Sequence, residues 1–392
     1  MGTLILLLVI YASFISLGLP DSMLGTAWPL MHLDINASVN TAGIVSTLVS
    51  IGTVISSILY SKYLSRARTE VITLFSIVAT ALALLFFSFS GSLLGLMPVA
   101  IVLGIGAGAI DASLNNYVAI HYKSNVMGFL HAFWGIGTLI SPFLFGYLFS
   151  IGISWREGYF SLSFVQLSIA LIVLSSFPLW KKEEKRFKLE HREIETDDLG
   201  MKYTITELFK TKGVIPAVLS FFTYSAVEQT AMLWAPTFLV WANGMNESDA
   251  ATAGGMIFLG ITVGRILTGL LSEKAGSSRL ISIGHVLILF GILSLIILPK
   301  EYIPIYFIVF GIGLGPIYPM MVHQTPEIFG LSRSSQVLGL EMALSYISVA
   351  TMPNLFGYLA RITSFSTLPF FLIAFLFLNI VTIQLKKRAS YA

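Results

Sequence analysis

Four carboxylic acids, Asp21, Asp111, Glu228 and Glu341, fall inside stretches that are otherwise apolar enough to cross a bilayer. An Asp at the bilayer centre costs roughly 2.5–3.5 kcal/mol even on insertion scales. Such residues face a bundle interior or a water-filled path and point to function by default. The chemistry they offer is proton exchange, because burial disfavours a carboxylate while solvation or a nearby cation restores it. The same carboxylate accepts hydrogen bonds from hydroxyl groups. One residue can therefore carry a proton in one state and grip a polyhydroxyl solute in another.

Asp111 has the clearest setting, in Gly104-Ile105-Gly106-Ala107-Gly108-Ala109-Ile110-Asp111-Ala112-Ser113-Leu114-Asn115-Asn116. On a helix Gly104, Gly108, Asp111 and Asn115 share one stripe. Gly18, Asp21, Gly25 and Trp28 make a second stripe, and Pro20 gives Asp21 the competing reading of an acid at a helix break. Glu228 has Gln229 and Tyr224 beside it; its competing reading is a buried protonated acid. His131, in line with Trp134, Gly135 and Thr138, is the nearest titratable partner for these acids, unless it is only a hydrogen-bonded core histidine. Asn115, Asn116 and Gln229 supply both donors and acceptors. Trp28, Trp134, Trp234 and Tyr318 supply faces that can stack on the C–H face of a sugar ring, or that simply pack. Arg265, Glu273, Lys274 and Glu341 read differently, as a charge cluster that locks the cytoplasmic gate.

The elements that position these residues follow from composition. Of 392 residues 56% are hydrophobic and only 11% charged, against about 25% charged in soluble domains. So few charges cannot cover a water-facing surface of this size. There are no cysteines, so no disulfide, thiolate metal site or cysteine nucleophile exists. No metal, cofactor or nucleic-acid partner is expected. The N-terminal apolar segment runs too long, and lacks the basic start, for a cleaved signal peptide, so it reads as a span.

Spans need about 20 apolar residues. That rule gives twelve, at roughly 4–31, 40–60, 71–90, 95–119, 125–150, 158–180, 214–242, 250–272, 279–299, 302–324, 335–359 and 365–385. The fold class is therefore an all-α membrane protein. Residues 181–213 form a mixed-charge linker, which divides the chain into six-helix bundles at 1–180 and 214–392. Nineteen of the 23 Lys and Arg residues lie in the linker, the tail or loops on the linker's side. Only Arg156, Lys300 and Arg361 lie in the opposite loops. The bias places both termini in the cytoplasm of a bacterial-type plasma membrane.

The halves also repeat. Gly104-Ile105-Gly106-x-Gly108-x-Ile110 recurs as Gly311-Ile312-Gly313-x-Gly315-x-Ile317. Gly128, Pro142, Gly146, Tyr147 and Leu148 recur as Gly339, Pro353, Gly357, Tyr358 and Leu359. Asp21 precedes Pro29 by eight residues, as Glu228 precedes Pro236. The offset of 207 makes Glu228 the mate of Asp21 and Tyr318 the mate of Asp111. Parallel six-span repeats are a transporter architecture whose substrate site lies near the midplane, at the repeat interface.

On these residues the chain resembles the major facilitator superfamily over essentially its full length. The segment Gly269-Leu-Leu-Ser-Glu273-Lys274-Ala-Gly276-Ser-Ser-Arg279 is similar to the superfamily's G-x-x-x-D-R-x-G-R loop. Its first-half counterpart, Ser57 to Arg66, keeps only the basic positions. Asp111-Ala-Ser-Leu-Asn115-Asn116 is similar to the fourth span of the fucose–proton symporter group, whose usual acid there is Glu. That likeness implies proton coupling and sugar binding at Asp111 and Asp21. His131-Ala-Phe-Trp134-Gly-Ile-Gly137 and Glu228-Gln229-Thr-Ala-Met-Leu-Trp234 also resemble bacterial members near that group.

The expected function is a monomeric secondary transporter working by alternating access and importing a small neutral solute, a monosaccharide foremost, with a proton. The competing expectation is a proton-driven exporter of lipophilic compounds or lipids, which needs a larger and more apolar cavity. An enzyme is not expected, because no catalytic constellation or sizeable extramembrane domain is present.

Overall fold

The computed structural model describes residues 2–60, 67–122, 124–190 and 203–390. The loop expected to carry Ser61, Lys62 and Arg66 lies outside them. So do Lys123 and most of the middle of the charged linker. Among the described residues the chain is helical throughout, with short turns and no strand. Ten helical stretches among the described residues are long and apolar enough to cross a membrane by length and composition. Each segment expected as a span is largely helical, though 4–31 is divided at Ser22 and 158–180 at Ser176.

The chain forms two compact units: residues 1–195 with 246–255, and residues 196–245 with 256–392. In the first, α1 (Gly2–Asp21) and α2 (Met23–Asp34) together occupy the first apolar segment. Then follow α3 (Ala42–Leu59), α4 (Thr69–Phe89), α5 (Leu93–His121), α6 (Ser124–Ser150) and α7 (Trp155–Ser175). The linker does not begin as loose chain. Helix α8 (Phe177–Glu190) buries Trp180 and Glu183 against this unit, and Thr3 Oγ1 donates to Glu183 at 3.1 Å. The second unit holds α9 (Ile205–Lys210), α10 (Val214–Asn243), most of α11 (Glu247–Ala275), α12 (Ser277–Ile297), α13 (Ile303–Phe329), α14 (Leu331–Ile362) and α15 (Leu368–Ser390).

The break between α1 and α2 follows from Pro20, which has no N–H and clashes with the preceding turn. Carbonyls freed there must find other donors. The Ser16 carbonyl accepts from Gln166 Nε2 of α7 at 3.0 Å, and the Leu19 carbonyl accepts from Ser141 Oγ of α6 at 2.7 Å. Gln166 Oε1 in turn accepts from the hydroxyls of Ser16 at 3.0 Å and Thr80 at 2.6 Å. One buried amide thus ties α1, α4 and α7.

The second unit has the same knot with different side chains. Asn379 of α15 donates to the Ser220 carbonyl at 2.7 Å and to Thr223 Oγ1 at 3.1 Å, and His285 Nε2 of α12 donates to Asn379 Oδ1 at 2.8 Å. Thr223 is the 207-residue mate of Ser16. The repeat therefore extends to polar contacts that the motifs did not include.

The glycine-rich runs pack as their repetition predicts. Added side chains at Gly104 and Gly108 would strike α3, and one at Gly106 would strike α4. Their mates Gly311 and Gly315 lie against α11, and Gly313 lies against α12. Close approach of helices through small residues replaces the hydrophobic drive that lipid does not supply.

Candidate functional site

In the first unit the site is built on the helix break. Asp21 ends α1 and is exposed. Trp134 of α6 donates from Nε1 to Asp21 Oδ2 at 2.7 Å. Asp111, half-buried on α5, accepts from Asn115 Nδ2 at 2.8 Å. The two acids lie close enough for their charges to interact. Asn115 Oδ1 is buried without a hydrogen-bond partner, an acceptor held in reserve one helical turn from Asp111. Exposed Asn116 donates to the Tyr60 hydroxyl at 3.1 Å. His131 is exposed, with its ring edge-on to Phe14 at 5.8 Å. Two acids, an indole N–H and an amide pair thus occupy this part of the unit.

Trp28 is not among them. Its ring is fully buried and its Nε1 donates to the Val39 carbonyl at 2.6 Å. The stripe linking Gly18, Asp21, Gly25 and Trp28 assumed one continuous helix. The break at Ser22 resets the phase.

In the second unit Glu228 stands midway along α10. Tyr224 donates its hydroxyl to Glu228 Oε1 at 2.9 Å and is also 3.1 Å from the Leu314 carbonyl. Gln229 Nε2 reaches Glu228 Oε2 at 3.5 Å. Tyr318 is half-buried, tilted against Tyr224 at 6.2 Å, with its hydroxyl 2.9 Å from Met342 Sδ. Trp234 departs from expectation as Trp28 does: it is fully buried and donates to the Pro353 carbonyl at 2.9 Å. Six residues on from Glu228, it falls on another face of α10.

The four residues expected to form a cytoplasmic gate do not come together. Arg265 of α11 lies 3.8 Å from Glu228 Oε1, so a cation does stand beside a mid-helix acid, which the spacing of charges did not suggest. Its long side chain spans the difference in depth. Glu341 is fully buried, accepting from Thr325 Oγ1 at 2.9 Å, with fully buried Lys386 near enough to act on it electrostatically. Glu273 and Lys274 are exposed at the end of α11. Glu273 borders a cavity of about 670 Å³ that Arg279, His323, Gln324 and Glu327 also line.

Two helical units of repeated packing, each with a site carboxylate on an otherwise apolar helix, have the build of a polytopic membrane carrier. The chain belongs to the Major Facilitator Superfamily, whose model matches residues 10–353. It is 26% identical over 322 residues to the glucose/mannose transporter GlcP of Bacillus subtilis, covering 79% of this chain and 77% of that protein. It is 23% identical over 299 residues to Bypass of stop codon protein 6 of Saccharomyces cerevisiae, covering 68% of this chain and 59% of that one. Among solved structures it is similar to a bacterial homologue of the human lysosomal transporter Spinster, in an inward-facing and unoccupied conformation. That match has a TM-score of 0.71 at 14% identity, over 100% of this chain and 96% of the other. It is a likeness of fold. The chain is a transporter and not an enzyme.

Proposed function

We propose that this transporter moves a small neutral polar solute, a monosaccharide foremost, by alternating access with proton coupling. The observation that carries this reading is the pair Asp21 and Asp111, each held by one neutral donor, Trp134 or Asn115, and close enough to feel the other's charge. Neighbouring acids do not favour being ionised together. The pair is suited to hold one proton and to exchange it as solvation changes. The amides of Asn115, Asn116 and Gln229 and the carboxylate of Glu228 suit hydroxyl groups. The likeness to a glucose/mannose transporter supports a sugar. The apolar cavity that a lipophilic exporter needs is poorly served by this set.

Thermal stabilisation of the purified chain by hexoses, and not by lipophilic cations, is the expected screen result. Asp111→Asn is expected to abolish accumulation driven by a proton gradient while leaving exchange of pre-loaded sugar. Undiminished gradient-driven uptake in that variant would remove Asp111 from proton coupling.

A further inference from the structure

Glu228 and Arg265 are joined less tightly than a buried ion pair needs to be. The 3.8 Å between Arg265 Nη2 and Glu228 Oε1 lies within ionic attraction but beyond hydrogen-bond length. Oε1 is already engaged by the Tyr224 hydroxyl at 2.9 Å. Among the described residues Oε2 has only the Gln229 amide, at the 3.5 Å limit, although an ionised carboxylate offers about four acceptor positions. Tyr224 thus fixes and aims the carboxylate while leaving most of its second oxygen unused. Both side chains keep some access, 11% for Glu228 and 23% for Arg265.

A carboxylate with accepting capacity beside a guanidinium matches one arrangement in particular. Hydroxyls on adjacent carbons present a donor and an acceptor side by side. We infer that Glu228 and Arg265 form a clamp for a vicinal diol: Glu228 accepts from one ring hydroxyl while Arg265 donates to the oxygen of its neighbour. This rests on the sugar reading above and names the part of the sugar that is read. Charge also favours it. Glu228 and Arg265 together carry no net charge, so a neutral diol adds none, whereas an anionic ligand at Glu228 meets a carboxylate. Half-buried Tyr318, tilted against Tyr224 at 6.2 Å, adds an aromatic wall beside the clamp.

Hydrogen bonds to charged groups are the stronger kind. Losing one hydroxyl that a charged group holds is therefore expected to weaken binding about ten- to a hundredfold. The test is calorimetric binding of D-glucose, D-mannose and the four monodeoxyglucoses lacking the 2-, 3-, 4- or 6-hydroxyl. The proteins are the full chain and its Arg265→Gln, Arg265→Lys and Glu228→Gln variants, with unfolding midpoints recorded for each. Wild type is expected to penalise loss of two adjacent hydroxyls. Arg265→Gln should weaken the parent sugar by a similar factor, yet leave the analogue that lacks the Arg265-bound hydroxyl nearly unchanged. Glu228→Gln should do the same for the adjacent analogue. Should Arg265→Gln fail to fold, Arg265→Lys retains the charge without the planar fork, and the same non-additive pattern is read on it. An equal loss across all sugars would mean a structural pair and overturn the clamp while the sugar reading stands. No binding of any of these sugars to wild type would withdraw the sugar reading and the clamp together.

Discussion

Trp28 and Trp134 present the same indole and opposite consequences. Trp134 donates to an exposed carboxylate at the helix break, whereas Trp28 donates to a backbone carbonyl inside the packing. Trp28→Phe leaves the Val39 carbonyl without its donor, a loss of about 1–3 kcal/mol. The expected result is a lower unfolding midpoint with unchanged sugar affinity in the folded fraction. Trp134→Phe keeps an aromatic six-membered ring but removes the pyrrole ring with its N–H, and Trp134 is only half-buried, so the expected result is impaired proton-driven uptake with little change in midpoint. Uptake measured beside thermal unfolding separates the two. The acids were legible because each interrupts an apolar run, and that interruption is a property of one segment. The company they keep was less so. The ion pair of Glu228 with Arg265, and the electrostatic influence of Lys386 on Glu341, depend on side chains reaching across helices, which no local pattern encodes. Lys386 reads in sequence as part of a basic tail, yet it is fully buried.

At the scale of the helix, glycines were the most readable residues, because close packing admits little else. Gly104 lies so near the Val49 carbonyl that any Cβ collides with backbone, whereas nothing lies within 4 Å of a Cβ at Gly339. Gly104→Val therefore cannot be relieved by a rotamer change and is expected at or beyond the upper end of the usual overpacking cost of about 1–3 kcal/mol. Gly339→Ala is expected to be neutral or mildly stabilising, since alanine is the better helix former. Yield of folded protein and unfolding midpoint check both. Gly339 was read as a repeat position, and the repeat alone did not distinguish a packed glycine from an open one. The knots at Gln166 and Asn379 show the reverse case. A lone amide in an apolar helix is a weak signal, and its importance emerges only where three helices converge on it.

At the scale of the whole chain, repetition carried the architecture. The 207-residue offset relates Asp21 to Glu228, Asp111 to Tyr318 and Ser16 to Thr223, and the same helices pack against one another within each unit. The mates differ in chemistry, however. Where the first unit has two acids close together, the second has an acid neutralised by an arginine and a tyrosine in place of Asp111. On the proposed reading, this difference suits one unit to the proton and the other to the solute. Orientation rests on the uneven distribution of Lys and Arg, and the absence of cysteine makes it directly measurable. Single cysteines at Gly91 and Ser364, both exposed and outside helices long enough to span, are expected to react in intact cells with a membrane-impermeant maleimide. Those at Lys182, Glu273 and Arg388, also exposed, are expected to react only after the membrane is opened. The reverse pattern would invert the orientation, while the direction of proton-driven uptake would stand, because in the proposed symporter the gradient and not the orientation sets it.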